Sequence, residues 1–406
     1  MKKLILAVCG WAACFSVHAS GFQTNAQSQK ALGLGGAYSA ISRDAAATYF
    51  NPGAMAMLDS GSISLGATYL HSRTAFRSAY TNQVSETDNK PLLPAYFYVS
   101  APISEKFTVG LSINNPYAFN TRWNDNWEGR SVVQGMDLNS YYMQPTIGFK
   151  LNENFGIGAG LVYARANMST RRHIGEINGS SEASVNGSGF GFNAGIYGRM
   201  EDKLSFGITY RSQVEMDLNE GEGSFANIPA SVSGQFPASA PFQSALTLPS
   251  VLSVGISDRI SDKMILAFEF NLTGWSTYDS LNFYYTPTVV ADIKNPRRYE
   301  DAMSFRIGAE YDITESTTLR GGLIYDETPI RDEYISVEIP DGNRLGLTAG
   351  ITQKIGSRLE IDAAYVFQNV AERQIRTDPS REQTVNIAGK HKTYVNGVGV
   401  GINFIF

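Results

Sequence analysis

Gly397-Val398-Gly399-Val400-Gly401-Ile402-Asn403-Phe404-Ile405-Phe406 sets a large apolar side chain on every second residue, with glycine or asparagine between most of them. A period of two sends successive side chains to opposite faces of a strand, so this stretch reads as a β-strand with one apolar face. The same alternation runs through Leu204, Phe206, Ile208 and Tyr210, and through Phe305, Ile307, Ala309 and Tyr311. It returns in Leu345, Leu347, Ala349 and Ile351, and in Leu359, Ile361, Ala363, Tyr365 and Phe367. Read this way the chain offers fourteen candidate strands, near 60–70, 92–102, 106–118, 136–151, 154–170, 183–200, 203–218, 246–260, 263–280, 299–313, 317–326, 341–355, 358–375 and 385–406.

The junctions alternate as well. Ile103-Ser104-Glu105, Asn152-Glu153-Asn154, Glu201-Asp202-Lys203, Ser261-Asp262-Lys263, Thr314-Glu315-Ser316 and Gly356-Ser357-Arg358 are tight polar turns. Between them lie longer connections, at 71–91, 119–135, 171–182, 219–245, 281–298, 327–340 and 376–384. Strict short–long alternation describes an up-and-down antiparallel barrel whose two ends meet different surroundings, as in an outer-membrane barrel. A soluble sandwich or propeller needs no such alternation, and its strands recur more closely than the roughly 28 residues per strand seen here. A sheet in hydrocarbon must close on itself, because an open edge finds no hydrogen-bond partner there. Tyr69, Tyr163, Tyr210, Tyr311, Tyr325 and Tyr365 fall near strand ends on the apolar face, where an interfacial girdle belongs. The predicted fold is an all-β, fourteen-stranded antiparallel transmembrane barrel over 60–406.

Composition agrees with this reading. The 406 residues are 43% hydrophobic and 17% charged, with 39 glycines, 22 phenylalanines and 21 tyrosines. A mean hydropathy of −0.17 is too polar for a bundle of membrane helices, and no stretch after the first twenty residues nears 18 consecutive apolar positions. The net charge of −5 gives no basic footprint for nucleic acid. At the N-terminus, Lys2 and Lys3 precede an apolar run from Leu4 to Val17, and Val17-His18-Ala19 supplies small residues at a cleavage site, so 1–19 reads as a signal peptide. Both cysteines, Cys9 and Cys14, lie within it. The mature chain then has no disulfide, no thiolate metal site and no cysteine nucleophile.

Residues 20–59 are not strand-like. Small residues dominate, in Ala31-Leu32-Gly33-Leu34-Gly35-Gly36-Ala37-Tyr38 and in Arg43-Asp44-Ala45-Ala46-Ala47-Thr48-Tyr49-Phe50, and short helices joined by glycine turns are expected. Low charge and several aromatics argue against a disordered tail, and a compact piece of this size has a natural place inside the barrel. Ser20-Gly21-Phe22-Gln23, the Leu32–Ser39 run and Asn51-Pro52-Gly53 resemble the N-terminal hatch of FadL-type outer-membrane transporters of long-chain fatty acids. The resemblance continues through Phe190–Tyr197, Ile208-Thr209-Tyr210-Arg211-Ser212, Leu248-Pro249, Trp275-Ser276, Arg320-Gly321-Gly322-Leu323 and Ile339-Pro340-Asp341-Gly342-Asn343-Arg344. It implies a fourteen-stranded barrel around an internal hatch to which Phe22, Asn51, Pro52 and Gly53 belong. It also implies passive transport: capture by outer loops, interior binding, hatch rearrangement, and lateral exit through a gap in the wall, without any cofactor.

For each step the sequence offers residues. Proline has no N–H for the ladder, so Pro116 within 106–118 breaks pairing or forces a bulge, unless the strand ends at Asn114 and Pro116 opens the loop. By resemblance a kink in the third strand makes the lateral gate, and Pro116, Tyr117, Ala118 and Phe119 fall there. In loop 219–245, Phe225, Ile228, Val232, Phe236 and Phe242 form an apolar set at a water-exposed position, either a substrate-capture surface or packing over the barrel mouth. Junction 171–182 is shorter than the family's helical loop, implying a reshaped capture groove. Arg211, Arg306, Arg320 and Arg344 alternate onto the lumen face, expected mostly in ion pairs with Glu310, Asp326, Glu360 or Asp362. By resemblance Arg171, Arg172 and Arg306 are the headgroup contacts, although Tyr299-Glu300-Asp301 stands where fatty-acid members carry a basic residue. The expected substrate is a long-chain fatty acid or another hydrophobic small molecule. Aromatic hydrocarbons or alkanes on the same fold, and a general diffusion porin, are the alternatives.

An enzyme is not expected: His71, His173 and His391 have no neighbours at catalytic spacing. Asp125 and Glu128 lack calcium-ligand spacing and read as a solvated loop, so no metal is expected. The terminal aromatic strand resembles the signal read by the barrel-assembly machinery. With outer-membrane lipid and lipopolysaccharide as surroundings, the expected state is a monomer in the outer membrane of a Gram-negative bacterium.

Overall fold

Alternation along the chain becomes a closed ring of hydrogen-bonded strands. The computed structural model describes residues 21–175, 177–201, 203–286, 289–376 and 387–406; the expected signal peptide and Ser20 lie outside them. The strands are β1 (Ser62–Ser78), β2 (Ala95–Pro102), β3 (Phe107–Asn114, resuming at Ala118–Arg122), β4 (Gly135–Lys150), β5 (Phe155–Ile174), β6 (Gly179–Met200) and β7 (Leu204–Arg211, resuming at Val214–Ala226). They continue as β8 (Ala240–Leu248, resuming at Val251–Ser261), β9 (Met264–Thr273), β10 (Ala302–Asp312), β11 (Thr317–Asp326), β12 (Arg344–Ile355), β13 (Leu359–Ile375) and β14 (Gly389–Ile405). Each pairs antiparallel with its chain neighbours, and β1 pairs with β14 from Ser62↔Ile405 to Ser78↔Gly389, which closes the 14-stranded barrel.

The period-two pattern sorts side chains as expected. Leu65, Ile307, Leu323, Leu347, Val398 and Val400 stand exposed on the outer face, Val400 by 62%, as only a lipid-facing wall tolerates. Tyr69, Tyr210, Tyr311, Tyr325 and Tyr365 share that face. Inward, β1 carries Ser64, Thr68 and Thr74, all buried. They are covered by residues 21–58, which sit within the ring as α1 (Gln29–Gly33), α2 (Ala47–Phe50), α3 (Pro52–Met55) and the turns between them.

Two connections depart from the sequence reading. Junction 171–182 is a tight hairpin, because β5 and β6 pair as far as Ile174↔Gly179. Loop 219–245 is largely strand: β7 and β8 pair out to Gly223↔Ala240 and leave only 227–239 as loop. Conversely 263–280 is too long a strand, since β9 ends at Thr273 and Trp275–Thr277 form a 3-10 turn directed into the lumen.

Candidate functional site

Three local features of residues 21–58 and of the wall around them decide what the lumen can do. The first is an anchor. Asn51 caps α3, its Oδ1 accepting from Gly53 N at 2.9 Å, while its Nδ2 donates to Ser39 O at 2.8 Å and to Ile196 O at 3.1 Å. Pro52 occupies the first helical turn, where a missing N–H costs nothing. Gly53 lies backbone against backbone on Gly156, Ile196 and Tyr197, so β5 and β6 leave no room for a Cβ there.

The second is a set of ionic and hydrogen-bonded ties to the inner wall. Lys30 pairs with Asp44 at 3.0 Å and Glu360 at 2.6 Å. Burial pulls its ammonium pKa down, but Asp44, then Asp362, Tyr38 and Glu360, outweigh burial and hold it well above the usual lysine value. Arg43 pairs with Glu310, which also receives Arg320 Nε at 2.8 Å. Glu269 accepts the backbone N–H groups of Tyr38 and Ser39 at 3.0 and 2.8 Å. Arg306 bonds Asn25 Oδ1 at 3.1 Å and stands 3.6 Å from Asp326. Buried pairs of this kind specify position more than they stabilise, since desolvation offsets much of their attraction.

The third is a break in the wall at Asn114-Asn115-Pro116-Tyr117. The ladder between β2 and β3 stops at Tyr96↔Asn114. Across β4 the register slips by one, from Asn114↔Tyr142 to Ala118↔Asn139, as an inward bulge requires. With its ring closed on nitrogen, Pro116 cannot rejoin the ladder. Instead residues 22–24 pair with the bulge from inside, Thr24 N donating to Pro116 O at 2.9 Å and Ala118 N to Phe22 O at 3.1 Å. Thr24 Oγ1 and Gln27 Nε2 both donate to Asn115 O, at 2.7 and 2.6 Å. Asn115 Oδ1 takes Ala95 N at 3.1 Å, substituting a side chain for the lost strand bond. On the β2 side Leu92 and Pro94 bond only to β1. Among the described residues no backbone bond then joins 91–94 to 115–119.

Phe22 fixes this N-terminal finger. Its ring packs edge-on against Trp275 at 4.6 Å and lies 5.6 Å from both Phe119 and Tyr278. Gly21 holds φ +54 against the face of Trp275, a conformation and an approach that suit glycine. Arg344 donates to Gly21 O at 2.6 Å, and Gly21 N donates to Asp341 at 3.1 Å.

Two cavities flank the finger, which separates them with Gln23, Thr24 and Asn25. One, of about 130 Å³, opens toward the wall break and is lined by Leu32, Leu70, Leu92, Phe119, Val366 and Val395 among others. The other, of about 70 Å³, is polar, with Arg211, Arg306, Glu269, Asn271 and Asn193 in its walls. Arg211 reaches Gln144 Oε1 at 3.1 Å and Tyr49 O at 2.8 Å, and its guanidinium lies 3.9 Å over the Tyr49 ring. A third cavity, of about 680 Å³, lies at the barrel mouth between Phe225, Phe236, Arg172, His173, Tyr285 and Ile293.

The residues singled out in the sequence therefore fall in three places. Phe22 meets Tyr117 and Phe119 at the wall break, beside Pro116 and Ala118, whereas Asn51, Pro52 and Gly53 form a separate anchor on β5 and β6. Phe225 at the end of β7 and Phe236 in the outer loop meet edge to face at 5.3 Å, with Ile228 and Val232 half-buried in that loop. Phe242 is a correction: it is an inward-facing residue of β8, 2% exposed, packed on Phe283. Arg171 and Arg172 lie at the mouth, Arg171 exposed and 3.7 Å from Asp125, while Arg306 lies deep in the lumen, so the three form no single headgroup site. His391, within the last predicted strand, is fully buried on the inner face of β14. Sequence reasoning missed the cage of Trp275, Tyr278 and Tyr299, and missed Glu269. A lone lumen-facing glutamate in Phe268-Glu269-Phe270 was a readable signal.

Comparison with known proteins supports a family assignment. Residues 10–406 match the profile of the outer membrane protein transport proteins OMPP1/FadL/TodX. The long-chain fatty acid transport protein of Salmonella typhi is 28% identical over 400 residues, covering 89% of this chain and 90% of that protein. Its counterpart in Escherichia coli K12 is 27% identical over 413 residues, with the same coverage. Among solved structures, a Pseudomonas aeruginosa FadL homologue superposes with a TM-score of 0.84 at 20% identity, over 95% of this chain and 99% of that one. The P. putida toluene transporter TodX superposes at 0.74 with 13% identity, over 96% and 99%.

Proposed function

Since this chain belongs to the OMPP1/FadL/TodX family of outer-membrane transport proteins, we propose that it carries long-chain fatty acids passively from the cell surface into the outer membrane, through the break in β3. Residues 20–59 are the hatch on this reading, and the finger 21–27 is its moving part. The observation that carries the proposal is the wall break at Pro116, which opens onto an apolar cavity and is closed from inside by two backbone bonds, two side-chain bonds to Asn115 O and one phenylalanine.

The physics favours a side exit. Each buried CH₂ is worth about 0.8 kcal/mol, so a sixteen-carbon chain loses on the order of 12 kcal/mol by entering water. A path from apolar cavity to lipid avoids that loss; an aqueous pore through the periplasmic end does not. Phe225, Phe236 and Arg172 at the mouth suit first capture of an anionic amphiphile. Withdrawing the finger from Pro116 joins the apolar cavity to the polar one, giving a slot for a tail with Arg211 and Arg306 at its head. Relatives that share over a quarter of this sequence are named for fatty-acid transport, which supports that cargo. The fold alone also suits monoaromatic hydrocarbons, and for these Arg211 and Arg306 have no role.

A reversible lock tests the reading. Gln23 and Tyr117 are directly opposed, between the Thr24–Pro116 and Phe22–Ala118 bonds. Such pairs have Cα atoms about 4.5 Å apart, within disulfide reach. Gln23→Cys with Tyr117→Cys, in a host lacking its own transporter, should stop oleate uptake when oxidised and restore it with dithiothreitol. Uptake that ignores the redox state sinks the exit route. Toluene uptake exceeding oleate uptake in the reduced protein replaces the cargo.

A further inference from the structure

The outer face of the seam between β1 and β14 carries a charge pattern that transport does not use. Outward residues of β14 run Phe404, Ile402, Val400, Val398, Asn396 and Tyr394, then Lys392 and Lys390. Those of β1 run Ile63, Leu65, Ala67, Tyr69 and His71, then Arg73, Ala75 and Arg77. Phe404 to Tyr394 spans about ten residues, or roughly 33 Å of strand. At a tilt of about 40° that is roughly 25 Å of height, the thickness of the apolar band of such a barrel. Tyr394, stacked with Phe367, therefore marks the outer interface. Arg73 lies level with it as its register partner, and Lys392, Lys390 and Arg77 lie beyond it in the headgroup layer on the long-loop side.

Their pairing is incomplete. Arg73 meets Glu86, and Lys390 meets Glu372 at 3.0 Å. Arg77 reaches only the neutral Asn82 Oδ1, at 3.3 Å, and Lys392 lies 5.4 Å from the Tyr394 ring; neither has an acidic partner among the described residues. Arg77 is moreover directly opposite Lys390 across the strands, with Lys392 two residues along the same face. Like charges opposed across a ladder are destabilising; Glu372 answers Lys390, which leaves Arg77 and Lys392 for an anion from outside the chain. The chain as a whole is acidic, and the outer part of β6 and β7 exposes Glu182, Glu215, Asp217, Glu220 and Glu222 on the corresponding face. The basic group at the seam is thus a local feature of one wall.

We propose that this seam binds the phosphorylated saccharide headgroup of an outer-leaflet lipopolysaccharide, with Arg77 and Lys392 on phosphate and Tyr394 and Phe367 against an acyl chain. Arg offers phosphate a planar fork and Lys a point charge, and both contacts are charge-assisted. The site depends on outer-membrane location and on nothing in the transport route.

The test uses the full folded barrel in detergent and native mass spectrometry, with lipid A bearing two acidic core sugars as probe. Wild type should hold one such lipid, and Arg77→Gln with Lys392→Gln should weaken retention at least tenfold. Arg77→Lys with Lys392→Arg should restore it. Enzymatically dephosphorylated lipid should be lost from wild type to a similar extent, an arm that needs no variant to fold. Heat-modifiable gel mobility and oleate uptake should be unchanged in the double glutamine variant. Equal retention by wild type and that variant overturns the proposal, as does equal retention of the dephosphorylated lipid. Phosphatidylglycerol or inorganic phosphate binding as tightly as the glycolipid also overturns it. So does a change of oligomeric state in the variant without loss of lipid, which would assign the patch to a second copy.

Discussion

Replacing Gly53 by alanine sets two local effects against each other. Within a helix the change should help, because alanine exceeds glycine in propensity by about 1 kcal/mol. Against the wall it should harm. The new methyl would lie 2.7 Å from Tyr197 N and 2.8 Å from Gly156 O and Ile196 C, where ordinary contact begins near 3.4 Å. All three are backbone atoms of paired strands and cannot swing aside, so α3 must retreat by roughly 0.7 Å. Overpacking of this kind costs about 1–3 kcal/mol. After the propensity gain, up to about 2 kcal/mol remains against the seated hatch. At tenfold per 1.4 kcal/mol, its displaced population should rise on the order of tenfold. In a planar bilayer the frequency of open events should rise accordingly, and cells should become more sensitive to a large polar antibiotic. Gly234→Ala, on an outer loop with nothing within 4 Å, is the matched control. Conductance equal to or below wild type would refute the claim that contact at Gly53 seats the hatch.

Three other outcomes are expected. Pro116→Val returns an N–H to β3 and should reduce oleate uptake while heat-modifiable mobility stays normal; undiminished uptake removes Pro116 from the route. Phe22→Ala empties the aromatic cage, and at about 3 kcal/mol for a buried phenylalanine the amides of Thr24 and Ala118 should exchange hydrogen about 100-fold faster. Unaltered protection would mean that the backbone pairing, not the ring, holds the finger. Glu327, just beyond the outer end of β11, is raised by burial to about 7, with a bond from Tyr325 opposing the rise. Because the folded value lies above the unfolded one, its contribution is complete below about pH 4.5 and is lost as pH rises through about 7. Amides of 327–343 should therefore lose protection between pH 5 and 8, after correction for intrinsic rates, and Glu327→Gln should abolish that dependence.

The barrel was legible because lipid and lumen impose opposite demands on alternate residues, and turn lengths differ at the two ends. Phe206 and Ile208 announce a lipid-facing strand without any tertiary information. Phe242 was misread for the same reason: β7 and β8 continue beyond the membrane, and alternation in water buries inward residues just as it does in lipid. Pro116 was readable as a break, since a missing N–H is a local fact. What fills the break was not, because Phe22 lies more than ninety positions away and its partners Trp275 and Tyr278 sit in an irregular turn. The ties of Lys30 to Glu360 and of Arg43 to Glu310 were likewise beyond reach. Counting charges shows that partners exist, but only the ring's closure decides which strand brings each one round.

That closure has a consequence for assembly. Ser62 and Ile405 are register partners, so the seam joins the two ends of the barrel sequence. Loop-closure entropy opposes this contact until the intervening hairpins have formed, and folding rates fall as such distant pairings dominate. Residues 21–58 must moreover be inside before β1 and β14 zip, because afterwards no opening admits three helical turns and their buried ion pairs. The barrel is thus a vessel built around its own contents. A chain that sealed too early would trap its N-terminus outside and yield a ring with an empty lumen, indistinguishable from the native protein by strand content and betrayed only by its leak.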